Sequence, residues 1–165
     1  MKEILLNKGK VTLVDDDDFE YLNQLKWHCN NHGYVTCSLN GKPILMHREI
    51  LHAKDNECID HKNRNILDNR KCNIRICTRT ENKINQSIYK NNTSGYKGVT
   101  WNKAHQKWRA SIAGHYIGDF SSSKKAARAY DKKCSELYGD FANLNFPKSY
   151  LVGLIKKWTL KLFSL

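Results

Sequence analysis

Between Cys58 and Asn82 the chain reads CIDHKNRNILDNRKCNIRICTRTEN, and this run leaves few ways to fold. Two short apolar segments, ECID and NIRIC, each read as a strand. The stretch between them, HKNRNILDNRKC, is dense in Asn, Asp, Lys and Arg and reads as a loop. After the second strand, Thr78 and Glu81 stand at the spacing of a capping box, in which each satisfies an orphan backbone N–H of a starting helix. The predicted order is strand, loop, strand, helix. Asp60-His61 closes the first strand, and Asn82 lies in the first or second turn of the helix, facing back.

That order brings particular chemistry together. Asn73 lies 13 residues after Asp60, and Asn82 lies 22 after it. The arrangement expected is a ββα-metal site. A carboxylate and an amide oxygen suit a hard divalent cation such as Mg²⁺ or Mn²⁺, which keeps several waters. His61, beside the metal and not on it, suits the general base that takes a proton from water attacking phosphorus. Asn73 either holds the loop or orients His61. A bound cation would stabilise the developing charge.

These residues resemble the HNH endonuclease family, in particular the homing-type enzymes of phages and introns. The resemblance spans about residues 44–86 and rests on MHREIL, IDHKNRN and DNRKCNIRICTRTEN. It implies Asp60 and Asn82 as metal ligands, His61 as general base and Asn73 as the middle Asn, with Asn69 in support. Arg70, Lys71, Arg75 and Arg79 are the expected phosphate contacts. Three other readings stay open. Asp60 could be only an ion-pair partner among cations. Cys58 with His61, and Cys72 with Cys77, have roughly zinc-like spacings, although strand alternation turns their side chains to opposite faces. The chain could also be a DNA-binding regulator that keeps the nuclease fold without its activity. His47 is expected in packing or support, and the cysteines as small buried apolar residues.

Net charge is +12, and it is uneven: −1 over residues 1–53, +4 over 54–93 and +9 over 94–165. Such an excess attracts a polyanion, and its weight lies in the C-terminal half. Residues 1–53 read as a small α+β unit. EILL and VTLV are strands, and DDDDFEYLNQL is a short helix capped by Asp17 or Asp18. YVTCSLNGKPILMH is a hairpin turning at Asn40-Gly41, and HREIL begins a short helix. YKNNTSG reads as a linker.

Beyond it, YKGVTWN, KWRASIAG and HYIGDF read as three strands. SSSKKAARAYDKKCSELYG reads as an amphipathic helix capped by Ser123 and stopped by Gly139. Ala126, Ala127, Tyr130, Cys134 and Leu137 form its apolar face. This segment, 94–147, resembles the AP-two/ERF DNA-binding domain through YKGV, KW, YIGDF, AARAYD and LNFP. The resemblance implies a three-stranded sheet docked in the major groove of duplex DNA. Strand-borne Lys97, Thr100, Trp101, Asn102, Lys103, Lys107, Arg109 and Tyr116 are the candidate contacts. Among them, the resemblance places Lys97, Thr100, Asn102 and Tyr116 on the outward face. Lys97 cannot grip guanine as rigidly as an Arg would, so base preference should differ from the plant domains. Trp108 and Tyr130 are expected in the core.

The expected fold class is α+β: residues 1–93 a nuclease domain with its ββα-metal core at about 57–86, residues 94–147 the three-stranded sheet on one helix, and 148–165 a C-terminal amphipathic helix. The expected activity is metal-dependent hydrolysis of DNA phosphodiester bonds. The expected partner is double-stranded DNA, with no protein partner evident. No apolar run suits a signal peptide or a membrane span. With six cysteines and no such leader, a reducing cytoplasm is expected, that of a bacterial host if the gene is phage-borne.

Overall fold

EILL and VTLV pair as an antiparallel hairpin, β1 (Lys2–Leu5) and β2 (Val11–Val14), which buries Ile4, Thr12 and Val14. The structure is a computed structural model and describes residues 1–147, so the helix expected over 148–165 lies outside the described residues. The chain divides into two units, Met1–Asn85 and one that begins at Gln86. The class is α+β, built of small antiparallel sheets.

In the first unit the acidic run opens α1 (Asp16–Leu22). Its cap position belongs to Asp15, and no side chain caps the helix. Asp17 and Asp18 do not have the capping role expected of them. Instead Asp15 Oδ2 accepts from the Lys71 backbone at 2.6 Å, and Asp18 pairs with the Lys71 ammonium at 2.7 Å. A long-range partner thus claimed Asp18, one of the two carboxylates that a local reading assigned to the cap, together with Asp15 at the cap position itself.

Next come β3 (His28–Cys29), β4 (Val35–Leu39) and β5 (Lys42–Leu45), paired in that order. The β4–β5 turn has Asn40 at φ 50° and Gly41 at φ 75°, the pair of left-handed residues a type I′ turn demands. A short helix, α2 (Met46–Ile50), follows. Its Arg48 guanidinium donates to the backbone carbonyls of Ala53, Lys54 and Glu57 and so holds the turn that leads to the next strand.

That strand is β6 (Cys58–His61), paired with β7 (Ile74–Cys77) and followed by α3 (Arg79–Asn85). The capping box forms as expected. Glu81 Oε2 accepts from the Thr78 backbone at 2.7 Å, and Thr78 Oγ accepts from the Glu81 backbone at 3.2 Å. Ile74 joins Leu22, Trp27, Val35, Met46 and Ile50 in one core. Each such buried side chain contributes roughly 1.5–3 kcal/mol, so the β6–β7 hairpin is anchored on the N-terminal strands.

In the second unit β8 (Val99–Asn102), β9 (Lys107–Ile112) and β10 (His115–Phe120) form a sheet in the order β10-β9-β8. It packs on α4 (Ser123–Tyr138) through Val99, Ala110, Ala126 and Ala127. Ser122, and not Ser123, caps α4, accepting from the Lys125 backbone at 3.3 Å. Tyr130 and Cys134 are buried as expected, but Leu137 is half exposed. Gly98, at φ 69°, lies where a Cβ would fall 2.0 Å from the Tyr130 ring, so the YKGV glycine is a contact requirement.

The remaining motifs meet at Asp131. Its Oδ1 accepts from the Asn145 backbone and side chain, both at 2.9 Å, and its Oδ2 accepts from the Phe146 backbone at 2.8 Å. Asn145 Oδ1 then accepts from the Lys97 backbone at 2.7 Å. AYD, LNF and YKG are thus one hydrogen-bonded knot. Hydrogen bonds to a charged group contribute about 1.5–3 kcal/mol. Asp131→Ala is therefore expected to destabilise this unit by about 2–4 kcal/mol, read as a lowered melting midpoint in denaturant.

Candidate functional site

The loop between β6 and β7 is built from its own amides. Asn63 Oδ1 accepts from the Asn65 backbone at 2.8 Å, and Asn65 Oδ1 accepts from the Leu67 backbone at 3.1 Å. Asn73 Oδ1 accepts from the Asn63 backbone at 3.0 Å, and its Nδ2 donates to the Asp68 carbonyl at 2.7 Å. Asn73 therefore holds the loop. Strand β2 clamps the same loop from outside the hairpin: Leu13 N–H donates to the Leu67 carbonyl at 2.9 Å, and Asn69 N–H donates to the Leu13 carbonyl at 2.8 Å.

Asp60 and Arg75 face each other directly across β6 and β7. The guanidinium donates to Asp60 Oδ2 through Nε at 2.9 Å and a terminal nitrogen at 2.7 Å. Asn85 Nδ2 donates to Asp60 Oδ1 at 2.8 Å and to the His61 carbonyl at 2.9 Å. Asn82 does not share these bonds. Its Nδ2 donates to Cys58 Sγ at 3.2 Å and to the Ile59 carbonyl at 3.5 Å. Asn85 is the residue that sequence reasoning missed. The signal was present, since residues three apart share a helix face and the helix reads ENKIN.

His61 is buried, and its Nε2 lies 3.3 Å from Asn69 Oδ1. Its ring meets His47 edge-on at a centroid distance of 5.3 Å, with Tyr34 beside both. Burial pushes the His61 imidazole below the ordinary histidine value, while Asn69, Asp60 and Asp68 oppose that shift. A neutral ring with one free lone pair is what a general base needs.

Burial, and to a lesser extent His61 and Arg48, lower His47 to about 4. The unfolded chain therefore takes up a proton between about pH 6.5 and about pH 4 that the folded chain refuses. Stability from this group is complete above that range and is lost as pH falls through it. The loss should reach about 3 kcal/mol, at 1.36 kcal/mol per pKa unit. Denaturant melts from pH 7 to 4 are expected to show it, and His47→Phe should flatten the curve.

Of the expected phosphate contacts, three are ion-paired. Arg70 forks onto Asp68 with both bonds at 2.7 Å, Lys71 holds Asp18, and Arg75 holds Asp60. The Arg70 guanidinium holds the Asp68 carboxyl below the usual range. Arg79 is exposed on α3. All six cysteines are free thiols. Cys37 and Cys134 are buried, as expected of small apolar residues, but Cys72 is exposed in the loop. Among the described residues, no three His, Cys, Asp or Glu side chains gather as metal ligands, so the zinc-like spacings do not close into a site there.

On the sheet of the second unit, the register sets Thr100, Arg109 and Asp119 in one row across three strands. Arg109 donates to both carboxylate oxygens of Asp119, at 3.0 and 3.2 Å, and lies 5.1 Å from the centroid of the exposed Tyr116 ring. His105 adds a contact at 2.9 Å, and Arg109 and His105 together hold the Asp119 carboxyl at about 2. Lys103 and Lys107 are exposed at the β8–β9 turn, where Asn102 Oδ1 accepts from the Ala104 and His105 backbones. Two candidates lie elsewhere. Lys97 donates through its ammonium to the Gln86 carbonyl at 2.7 Å. Trp101 pairs with Trp108 in register, and the two rings meet at 5.1 Å on the helix side.

The chain is 29% identical over 153 residues, 86% of its length and 79% of the relative's, to "Uncharacterized HNH endonuclease L560" of Acanthamoeba polyphaga mimivirus. It is 33% identical over 88 residues, 51% of its length and 72% of the relative's, to "Protein 3.8" of Escherichia phage T7. It is 43% identical over 63 residues to "Dehydration-responsive element-binding protein 2D" of Arabidopsis thaliana, 33% of this chain and 29% of the plant protein. This last match covers the AP-two/ERF-like C-terminal region. No family model and no solved structure matches the chain. Among the described residues, no helix is long and apolar enough to cross a membrane.

Proposed function

We propose that this chain, which belongs to the family of phage T7 protein 3.8, is a metal-dependent endonuclease that hydrolyses phosphodiester bonds of double-stranded DNA. We read it as a homing-type enzyme, guided by its C-terminal sheet. The observation that carries the reading is the packing of Asp60, His61 and Asn85 against one another, with the His61 Nε2 beside Asn69 Oδ1 and burial favouring the neutral ring. The relationship to a protein named as an HNH endonuclease agrees with it.

A carboxylate and side-chain amide oxygens are donors of the kind a hard divalent cation such as Mg²⁺ or Mn²⁺ takes, and here the Asn85 amide turns its NH₂, not its oxygen, to Asp60. Asp60 and the amide oxygen of Asn82 would hold the ion, with Asn85 on the same face of α3 holding the Asp60 carboxylate in place. When bound, it would stabilise the negative charge that develops on the phosphate oxygens. The protein's own residues do the rest. His61 takes the proton from the attacking water. Asn69 orients its ring, Asn73 and Asp68 keep the loop in shape, Arg75 holds Asp60, and Arg79 with Arg70 and Lys71 neutralises the DNA backbone. Thr100, Asn102, Lys103, Lys107, Arg109 and Tyr116 meet the duplex, with Lys97 and Trp101 supporting that sheet. Arg109 is set in advance by Asp119, and a pre-ordered fork loses less entropy on binding.

One observation favours a second reading. The Arg75 guanidinium already occupies Asp60 Oδ2, which suits a regulator that binds DNA without cutting it. Nicking of supercoiled plasmid with Mg²⁺ or Mn²⁺, with and without a chelator, decides between them. Metal-dependent nicking supports the endonuclease. DNA binding with no nicking under either metal supports the regulator.

A further inference from the structure

An imidazole has two nitrogens, and the one that carries the proton is set by its neighbours. For His61 the neighbours form a chain that can be read from its far end. The Leu67 carbonyl has no hydrogen, so the Thr12 hydroxyl, 2.8 Å away, must donate to it. Its single hydrogen spent, Thr12 Oγ can only accept from Asn69 at 2.8 Å, so the atom it faces is the NH₂ group. A second contact agrees, since the same Asn69 nitrogen lies 3.5 Å from the Ile66 carbonyl. The amide oxygen of Asn69 must then face His61 Nε2 and accept from it. Nε2 carries the hydrogen, and Nδ1 carries the lone pair.

Thr12 is fully buried on β2, 57 residues from Asn69, in a strand outside the β6–loop–β7–α3 unit. We propose that Thr12 is a positioning residue, which through Asn69 fixes His61 as the Nε2–H tautomer and reserves Nδ1 to take the proton from water. The proposal rests on the endonuclease reading. Without the hydroxyl, Asn69 is free to turn over and present its NH₂ to His61. The hydrogen then moves to Nδ1, and the lone pair faces the loop. A wrong tautomer disables a base whose position is otherwise intact.

Valine matches threonine in shape and keeps the strand packed. In ¹⁵N-labelled full-length protein at pH 8, the wild-type His61 ring is expected to show the Nε2–H pattern, its signal assigned by loss in His61→Gln. Thr12→Val should shift the ring toward Nδ1–H or a mixture. It should lower kcat for plasmid nicking at least about tenfold, out of the 10²–10⁴-fold that a general base contributes, with KM unchanged. Thr12→Ser should restore both the tautomer and the rate. Thr12→Ala removes the same hydroxyl by a second route if Thr12→Val folds poorly. A wild-type Nδ1–H pattern would overturn the proposal, as would Thr12→Val with tautomer and kcat both unchanged. The two readings separate cleanly. A wild-type protein with the expected tautomer and no nicking in Mg²⁺ or Mn²⁺ sinks the endonuclease and leaves the Thr12–Asn69–His61 relay standing.

Discussion

His61→Ala is expected to lower plasmid nicking by on the order of 10²–10⁴-fold, the contribution of a positioned general base, while duplex binding in a mobility shift stays at the wild-type level. The base acts when water attacks, and the surfaces proposed to bind the duplex lie elsewhere, on the sheet β8–β10 and the arginines around the loop. His61 is also confined by Tyr34, His47 and Asn69, so its ring does not need to be ordered at the moment of reaction. Alanine leaves a small cavity, and a modest loss of stability is expected with it. His61→Gln, closer in size, separates the two effects. A variant that lacks the imidazole and still cuts at the wild-type rate would show that this cluster is not the active site.

The second large effect concerns Asp60, which has two roles at once. It is the buried carboxylate proposed to hold the cation and the partner of the largely buried Arg75 guanidinium. Removing one member of a buried ion pair leaves the other uncompensated, at a cost of about 3–5 kcal/mol. Asp60→Ala should therefore lose cleavage and stability together. Asp60→Ala with Arg75→Met should regain most of the stability, because an apolar replacement of both partners is often neutral. It should regain no cleavage. Chemical melts and plasmid nicking on the two variants read the roles separately. If the double variant cut DNA, Asp60 would be an ion-pair partner and nothing more.

The ββα order was legible because each of its signals is local. Two short apolar runs, an Asn-rich loop and a Thr-x-x-Glu cap each act within a few residues, and the structure has β6, β7 and the capping box where those signals fall. The Asn40-Gly41 turn was legible for the same reason, since its two left-handed residues are demanded by the turn itself. The three strands and one helix of the second unit were legible from turn residues and alternation.

Non-local partners were not legible. Asn85, and not Asn82, lies against Asp60, because the rotation of α3 about its axis is set by packing on β6 and not by the cap. The acidic run was read as a cap. It instead grips Lys71, 53 and 56 residues away. Leu137 fits the helical stripe, yet it is half exposed. Trp101 alternates onto the helix side only once its pairing with Trp108 is known.

By itself, then, the sequence determined the fold class, the elements and the small set of residues that could do chemistry, because strand alternation, turns and caps are interactions of near neighbours. Only the tertiary structure decided which of those residues touch. It set Arg75 on Asp60, Asn85 beside them and Thr12 behind Asn69. Those pairings come from β2 clamping the loop and from a core shared by strands far apart in the chain. Burial also makes His47 a neutral histidine to about pH 4. Desolvation is a property of everything packed around a group, and no short stretch of sequence contains it.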